Sequence, residues 1–320
     1  MSQNTQNLDL FRRFAYNPAS FNTPIETIDG EAGADDLVVV HLDRFAGMNA
    51  QQAEAAIQPV IDLIDARTPK DDPLLMSDIQ KFKSHLPALA SKAAKEPVLA
   101  EGGGAFALKS GMIFMDDRAC TPENLLRSSF NIPPNKDIPL SYPMEFQTLH
   151  REFTRLHEGA HAILGTKESG SDFMAASSML RTHPQDEDVR DFLSHTADLR
   201  YAASYMGDRR MQEKYGVENY DAIRHALDMD TTGQLPSLDH LEELSLIAEQ
   251  HDAKNDNNNF PGVGSTEILD RQNPAVELGS TMTRIGEFFE RHQALTSADE
   301  DMLPPSKLGG KPSVLSTPSN

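Results

Sequence analysis

Tryptophan is absent from this chain, and cysteine occurs once, at Cys120. A single thiol forbids an intrachain disulfide, so the fold has to rest on its apolar core. Cations are scarce too: 29 lysines and arginines stand against 49 aspartates and glutamates, a formal net charge of −20. That balance argues against binding to nucleic acid or to an anionic membrane surface, since both call for a basic face. No apolar run approaches the ~20 residues that cross a bilayer. Met1–Leu10 is polar and lacks the charged-then-apolar order of a signal peptide. A cytoplasmic protein is the expectation, although export by a signal-independent route would leave the same sequence. The methionines form no Met-x-Met cluster and read as core filling, not as a copper site.

One dense pattern stands against these absences. Residues 155–165 contain His157-Glu158-Gly159-Ala160-His161, an HExxH sequence. Residues four apart on a helix share one face, so two imidazoles placed this way can bind one zinc ion. The intervening glutamate is then placed to take a proton from a water on that ion. The pattern is short enough to arise by chance, so its surroundings decide. Apolar residues recur at Met144, Phe146, Leu149, Phe153, Leu156, Ala160, Ile163 and Leu164, a spacing of three and four. The motif therefore belongs on a helix that begins after Pro143 and stops at Gly165. His150, His157 and His161 lie close to its buried stripe. The competing reading is that they are core histidines with ordinary hydrogen-bond partners.

A second helix is expected to start near Thr166 or Lys167, after a very short turn, making an antiparallel hairpin. With ~1.5 Å rise per residue, Glu168 comes level with His161, and Asp172 with His157. Glu168 then suits a third zinc ligand, and Asp172 suits an acceptor for the free N–H of a ligand histidine. Two solvated acids at a helix start would carry the same sequence.

HExxH followed by Glu168-x-x-x-Asp172 resembles the gluzincin metallopeptidases, thermolysin and its relatives among them. The resemblance covers 154–180 and implies zinc binding by His157, His161 and Glu168. It also implies base catalysis by Glu158 and support of a ligand histidine by Asp172. The six residues between His161 and Glu168 are fewer than is usual in that group, so Asp172 remains an alternative third ligand. The longer His-x-x-Gly-x-x-His pattern of the metzincins is absent.

The rest of the chain reads as a mainly helical α+β protein, with a zincin-like domain and a small sheet beside the motif helix. Residues 1–35 form a polar arm, extended or loosely packed. Residues 36–104 form a mainly helical lobe, 105–296 the catalytic domain and 297–320 a flexible tail. Leu37–Leu42 is a buried strand and Ala105–Met115 a hairpin split at Ser110-Gly111. The Gly102–Gly104 run is a loop, not a phosphate cradle, because no Lys-Ser/Thr follows in place. Helices are expected over Ala50–Ala66, Leu75–Lys95, Pro122–Phe130, Asp186–Met206, Val217–Met229, Leu238–His251 and Pro274–Leu295, with an asparagine-rich loop over Asn255–Gly264.

Peptide hydrolysis also needs a donor for the developing oxyanion. His195, Tyr201 and Tyr205 are the candidates, clustered with Asp198 and Arg200, although ordinary packing accounts for each. His195 and Asp198 are the reserve metal ligands. His183, His225, His240 and His251 read as surface residues. The leading expectation is a Zn2+ peptidase acting on a peptide or protein substrate, of unspecified oligomeric state. One alternative is a zincin-like regulator that acts on a single partner protein. The other is a helical interaction protein in which HExxH is accidental.

Overall fold

The computed structural model describes residues 3–16, 23–29, 36–67, 73–98, 105–108, 111–133, 135–138, 140–256 and 274–302. The glycine run at 102–104, the asparagine-rich loop beyond residue 256 and the tail from residue 303 lie outside these. In chain order the elements begin with α1 (Gln3–Tyr16), β1 (Ile25–Ile28), β2 (Leu37–His41), α2 (Ala50–Arg67) and α3 (Pro73–Ala93). The hairpin β3 (Ala105–Leu108) and β4 (Met112–Met115) follows, then α4 (Pro122–Ser129) and α5 (Met144–Gly159). A π-helical turn, Ala160–Leu164, ends α5 and leads to α6 (Glu168–Thr182) and α7 (Glu187–Met206). Last come α8 (Arg209–Lys214), α9 (Val217–Thr231), α10 (Leu241–Asp256) and α11 (Pro274–Met302). The described residues are mainly helical with one small sheet, an α+β arrangement.

The four strands lie in the order β1-β2-β4-β3. β2 runs parallel to β4, while β1 and β3 flank them antiparallel. A parallel pair needs a long crossover, which α2 and α3 supply. Side chains alternate across the strands and so feed two cores. Val38, Val40, Met112 and Phe114 pack with α2 and α3, where Phe82 stands edge-on to Phe114 with ring centroids 5.7 Å apart. Leu37, Val39, Ile113 and Met115 face the larger helical body. Gly111, at φ +72, lies directly before β4; Ser110, the other residue of the expected split, lies outside the described residues.

α6 runs through the middle of that body: every residue from Ser169 to Leu180 is buried. Gly170, Ala175, Ala176, Ser177 and Ser178 are small, so α5, α9 and α10 all approach it closely.

Three findings correct the sequence reading. The expected loose arm contains α1, whose Leu8, Leu10, Phe11 and Phe14 are buried in the main core. Their helical spacing is diluted by polar neighbours, which is why composition alone suggests an arm. Phe14 lies against the motif helix. Its ring takes the space a Cβ at Gly159 would fill, and the Arg155 guanidinium sits 3.8 Å from its centroid. Second, the boundary drawn at residue 104 cuts the sheet, because β2 pairs with β4 across it. Third, α11 continues to Met302, past the expected tail start at 297.

Candidate metal centre

α5 carries the motif along one buried face, with His150, His157 and Glu158 inside. The π-turn follows at once and holds His161. Gly165 then reverses the chain in the left-handed region, at φ +70, where a side chain is disfavoured. Only residues 165–167 separate the π-turn from α6, so the two helices form a tight hairpin. The reversal returns the Thr166 carbonyl to His161, whose Nδ1 lies 2.7 Å away.

The hairpin brings His157, His161 and Glu168 together, with one ligand atom from each within 4.8 Å of the others. His157 Nε2 and His161 Nε2 are 3.1 Å apart, and Glu168 reaches both, at 3.3 Å and 3.6 Å. Asp172 stands behind the first histidine, 2.8 Å from its Nδ1, with the ring N–H off the direct line to the oxygen. Asp172 is fully buried and further held by Arg200 at 3.1 Å and Asn219 at 2.8 Å.

These residues fit a zinc ion. The Thr166 carbonyl can only accept, so His161 Nδ1 carries its proton and Nε2 keeps the lone pair. Asp172 imposes the same tautomer on a neutral His157. Two nitrogen lone pairs then face each other across 3.1 Å beside a carboxylate. Such a set repels itself unless a cation, proton or metal, sits among its members. Glu168 Oε2 is buried and meets no donor in hydrogen-bonding geometry among the described residues. Two imidazoles, one carboxylate and an outer acid backing a histidine match the donor chemistry of catalytic zinc.

The charges agree. Burial works against a positive His157, but Asp172 and Glu168 outweigh it and raise its pKa to about 10. Burial also works against the negative form of both acids. His157 and His161 nonetheless hold Glu168 well below the usual carboxylate range. Arg200 and His157 likewise lower the pKa of Asp172 against its burial. The group in its proton-bound form is thus a compact cluster of alternating charge.

A small cavity of about 30 Å³ adjoins the cluster, lined in part by Ala105, His150, Thr154, His157, Glu158, Arg200, Lys214 and Tyr215. Sequence reasoning missed Lys214 and Tyr215. Lys214 Nζ is 3.3 Å from Glu168 Oε1 and 5.1 Å from the Tyr215 ring centroid, and the Arg200 guanidinium stacks on that ring at 3.9 Å. The only local signal was a Lys-Tyr pair just before the Gly216 helix start.

The other expected site residues lie elsewhere. His195 stacks on Phe288 with centroids 3.8 Å apart, its Nε2 2.8 Å from the Tyr142 hydroxyl. Tyr201 packs with Tyr205 and Tyr220. Asp198 binds Arg224 and Arg284. None of the four lines the cavity beside Glu158. His251, expected at the surface, is buried against Phe173 with its Nε2 3.1 Å from His225 Nδ1.

Among the described residues no helix is long and apolar enough to cross a membrane. Compared with known proteins, the chain matches no family model, no curated protein and no solved structure.

Proposed function

We propose that the protein is a zinc-dependent metallopeptidase with a zincin-like domain, acting on a peptide or protein substrate. The observation that carries this reading is the convergence of His157, His161 and Glu168, with Asp172 behind His157. Bound zinc supplies Lewis acidity and an acidified water. The remaining work falls to the chain itself. Glu158 shares the cavity with His157 and acts as general base, taking a proton and returning it to the departing amine. Asp172 keeps the His157 ring oriented, and Arg200 and Asn219 keep Asp172 ionised and in place. Among the described residues β3 pairs only with β4, and its Ala105 lines the same cavity. An extended peptide adding to that free strand edge would run past Glu158.

The test separates binding from chemistry. Wild-type protein expressed with ample metal is expected to carry one zinc per chain. Glu158→Gln should keep the zinc and the fold, yet lose peptide hydrolysis by about 10²–10⁴-fold, the usual contribution of a general base. Near-normal turnover by this variant would remove Glu158 from the mechanism.

The narrowness of the cavity, about 30 Å³, favours a second reading, a zincin-like regulator that cleaves one partner protein only under a signal. A peptide-library digest separates the two: broad cleavage supports the general peptidase, and silence toward all short peptides supports the regulator.

A further inference from the structure

The cluster contains a cation of its own. Around the ligand atoms the carboxylates of Glu158, Glu168 and Asp172 are all buried or nearly so, and buried acids need counter-charges. Two cationic side chains besides His157 meet that need, and they are held very differently. Arg200 is only 7 % exposed at its side chain, binds Asp172 and lies flat on the Tyr215 ring. It is held from two sides. Lys214 is 30 % exposed, ends the six-residue helix α8, and reaches Glu168 Oε1 on a flexible stem. That same oxygen is the one 3.6 Å from His161 Nε2, so Lys214 and any ion between the histidines share one carboxylate oxygen.

The geometry points to Lys214 as the resident cation of the metal-free centre, bound to the ligand Glu168 until a metal displaces it toward the cavity and Glu158. The inference rests on reading His157, His161 and Glu168 as a metal centre. A dication among the ligand atoms repels an ammonium 3.3 Å from Glu168. Arg200 cannot retreat, whereas Lys214 can, because its exposed stem leaves it room. The Tyr215 ring, 5.1 Å from Nζ, gives the displaced ammonium a surface to slide along without leaving the cavity. Lys214 therefore competes with the metal for Glu168, and in the metal-free centre it offsets part of the repulsion among the carboxylates.

The test uses Lys214→Met, close in length but uncharged, and Lys214→Arg, charged, in the full chain. Both are stripped of metal, and zinc dissociation constants are measured by competition with a chromophoric chelator. Removing a competing charge at this distance should tighten zinc binding by about tenfold or more. Lys214→Arg should stay within about threefold of wild type, since its charge remains. The metal-free Lys214→Met protein should also melt below metal-free wild type, and zinc should close that gap. Unchanged or weaker zinc binding by a folded Lys214→Met variant overturns the inference and leaves the metal centre standing. Wild-type protein that binds no zinc overturns both.

Discussion

Two histidines seven residues apart on α5 show how much a neighbourhood decides. His150 and His157 are both buried, on the same face of the same helix. Burial, with Arg200 and Arg151 adding to it, lowers the pKa of His150 to about 3. At His157 burial is just as complete, yet Asp172 and Glu168 reverse its effect and raise the pKa to about 10. His195 on α7 repeats the first case: burial beside His292 and Arg291 lowers it to about 3, and its ring is stacked on Phe288. A buried histidine is therefore not in itself a site. What separates the two regions is a wall of carboxylates, and α6 provides it.

The largest expected effect comes from dismantling that wall. If Glu168 is the third ligand, as proposed, Glu168→Ala should weaken zinc binding more than any change outside the ligand set. Asp172→Ala should weaken it by about 10–100-fold, the usual loss when a ligand's outer partner goes. Zinc titration of the two variants checks the order. A greater loss for Asp172→Ala would exchange their roles.

How far this centre could be read from the sequence follows from where its parts lie. His157, Glu158 and His161 sit within one turn, and Glu168 and Asp172 follow across a three-residue link. Helical rise therefore sets their levels with little help from the rest of the fold. Lys214, Tyr215 and Asn219 come from elements brought in only by tertiary packing, and no local periodicity marks them. Arg200 was visible as a polar residue on α7, but not its attachment to Asp172. The π-turn leaves no pattern in composition, and α1 was hidden because Phe11 and Phe14 lie among polar residues. β2 was legible because four buried residues in a row, Leu37 to Val40, admit few alternatives, whereas β1 went unread inside the expected arm, its four residues carrying only one buried side chain.

Acid titration sharpens the comparison next. In the unfolded chain His150 and His195 take up protons below pH ~6.5, whereas in the fold they stay neutral to about 3. Their contribution is present above pH ~6.5 and lost as the pH falls, by about 1.4 kcal/mol per unit for each. His157 behaves oppositely: its contribution is complete below pH ~6.5 and lost as the pH rises toward about 10. Metal-free protein should therefore weaken on both sides of pH ~6.5. Urea unfolding across pH 5–9 checks this. The doubly substituted His150→Leu, His195→Phe protein should lose most of the acid slope and keep the alkaline one.

The smallest effect concerns what holds the wall upright. Asp252 on α10 accepts the backbone N–H groups of Lys167 and Gly170, at 2.6 Å and 2.7 Å, at the start of α6. Gly170 is needed for that approach, because a Cβ there would lie 2.6 Å from Asp252 Oδ2. Asp252→Asn should cost about 1 kcal/mol, as for a weakened helix cap. It should also loosen zinc slightly, because Glu168 is in the same first turn. A thermal melt with and without zinc separates the two contributions. Stability and affinity both unchanged would show that α6 is positioned without this cap.

The ring of Phe14 resting on Gly159 bears on how such a chain can change over time. A pattern written HExxH treats its third letter as free, but here that letter answers to a residue on a different helix, 145 positions earlier in the chain. A side chain at 159 becomes tolerable only after position 14 has shrunk, so the two sites should drift as a pair, the distant one first. Relatives with a bulkier residue inside the motif are then expected to carry a smaller one in the first helix.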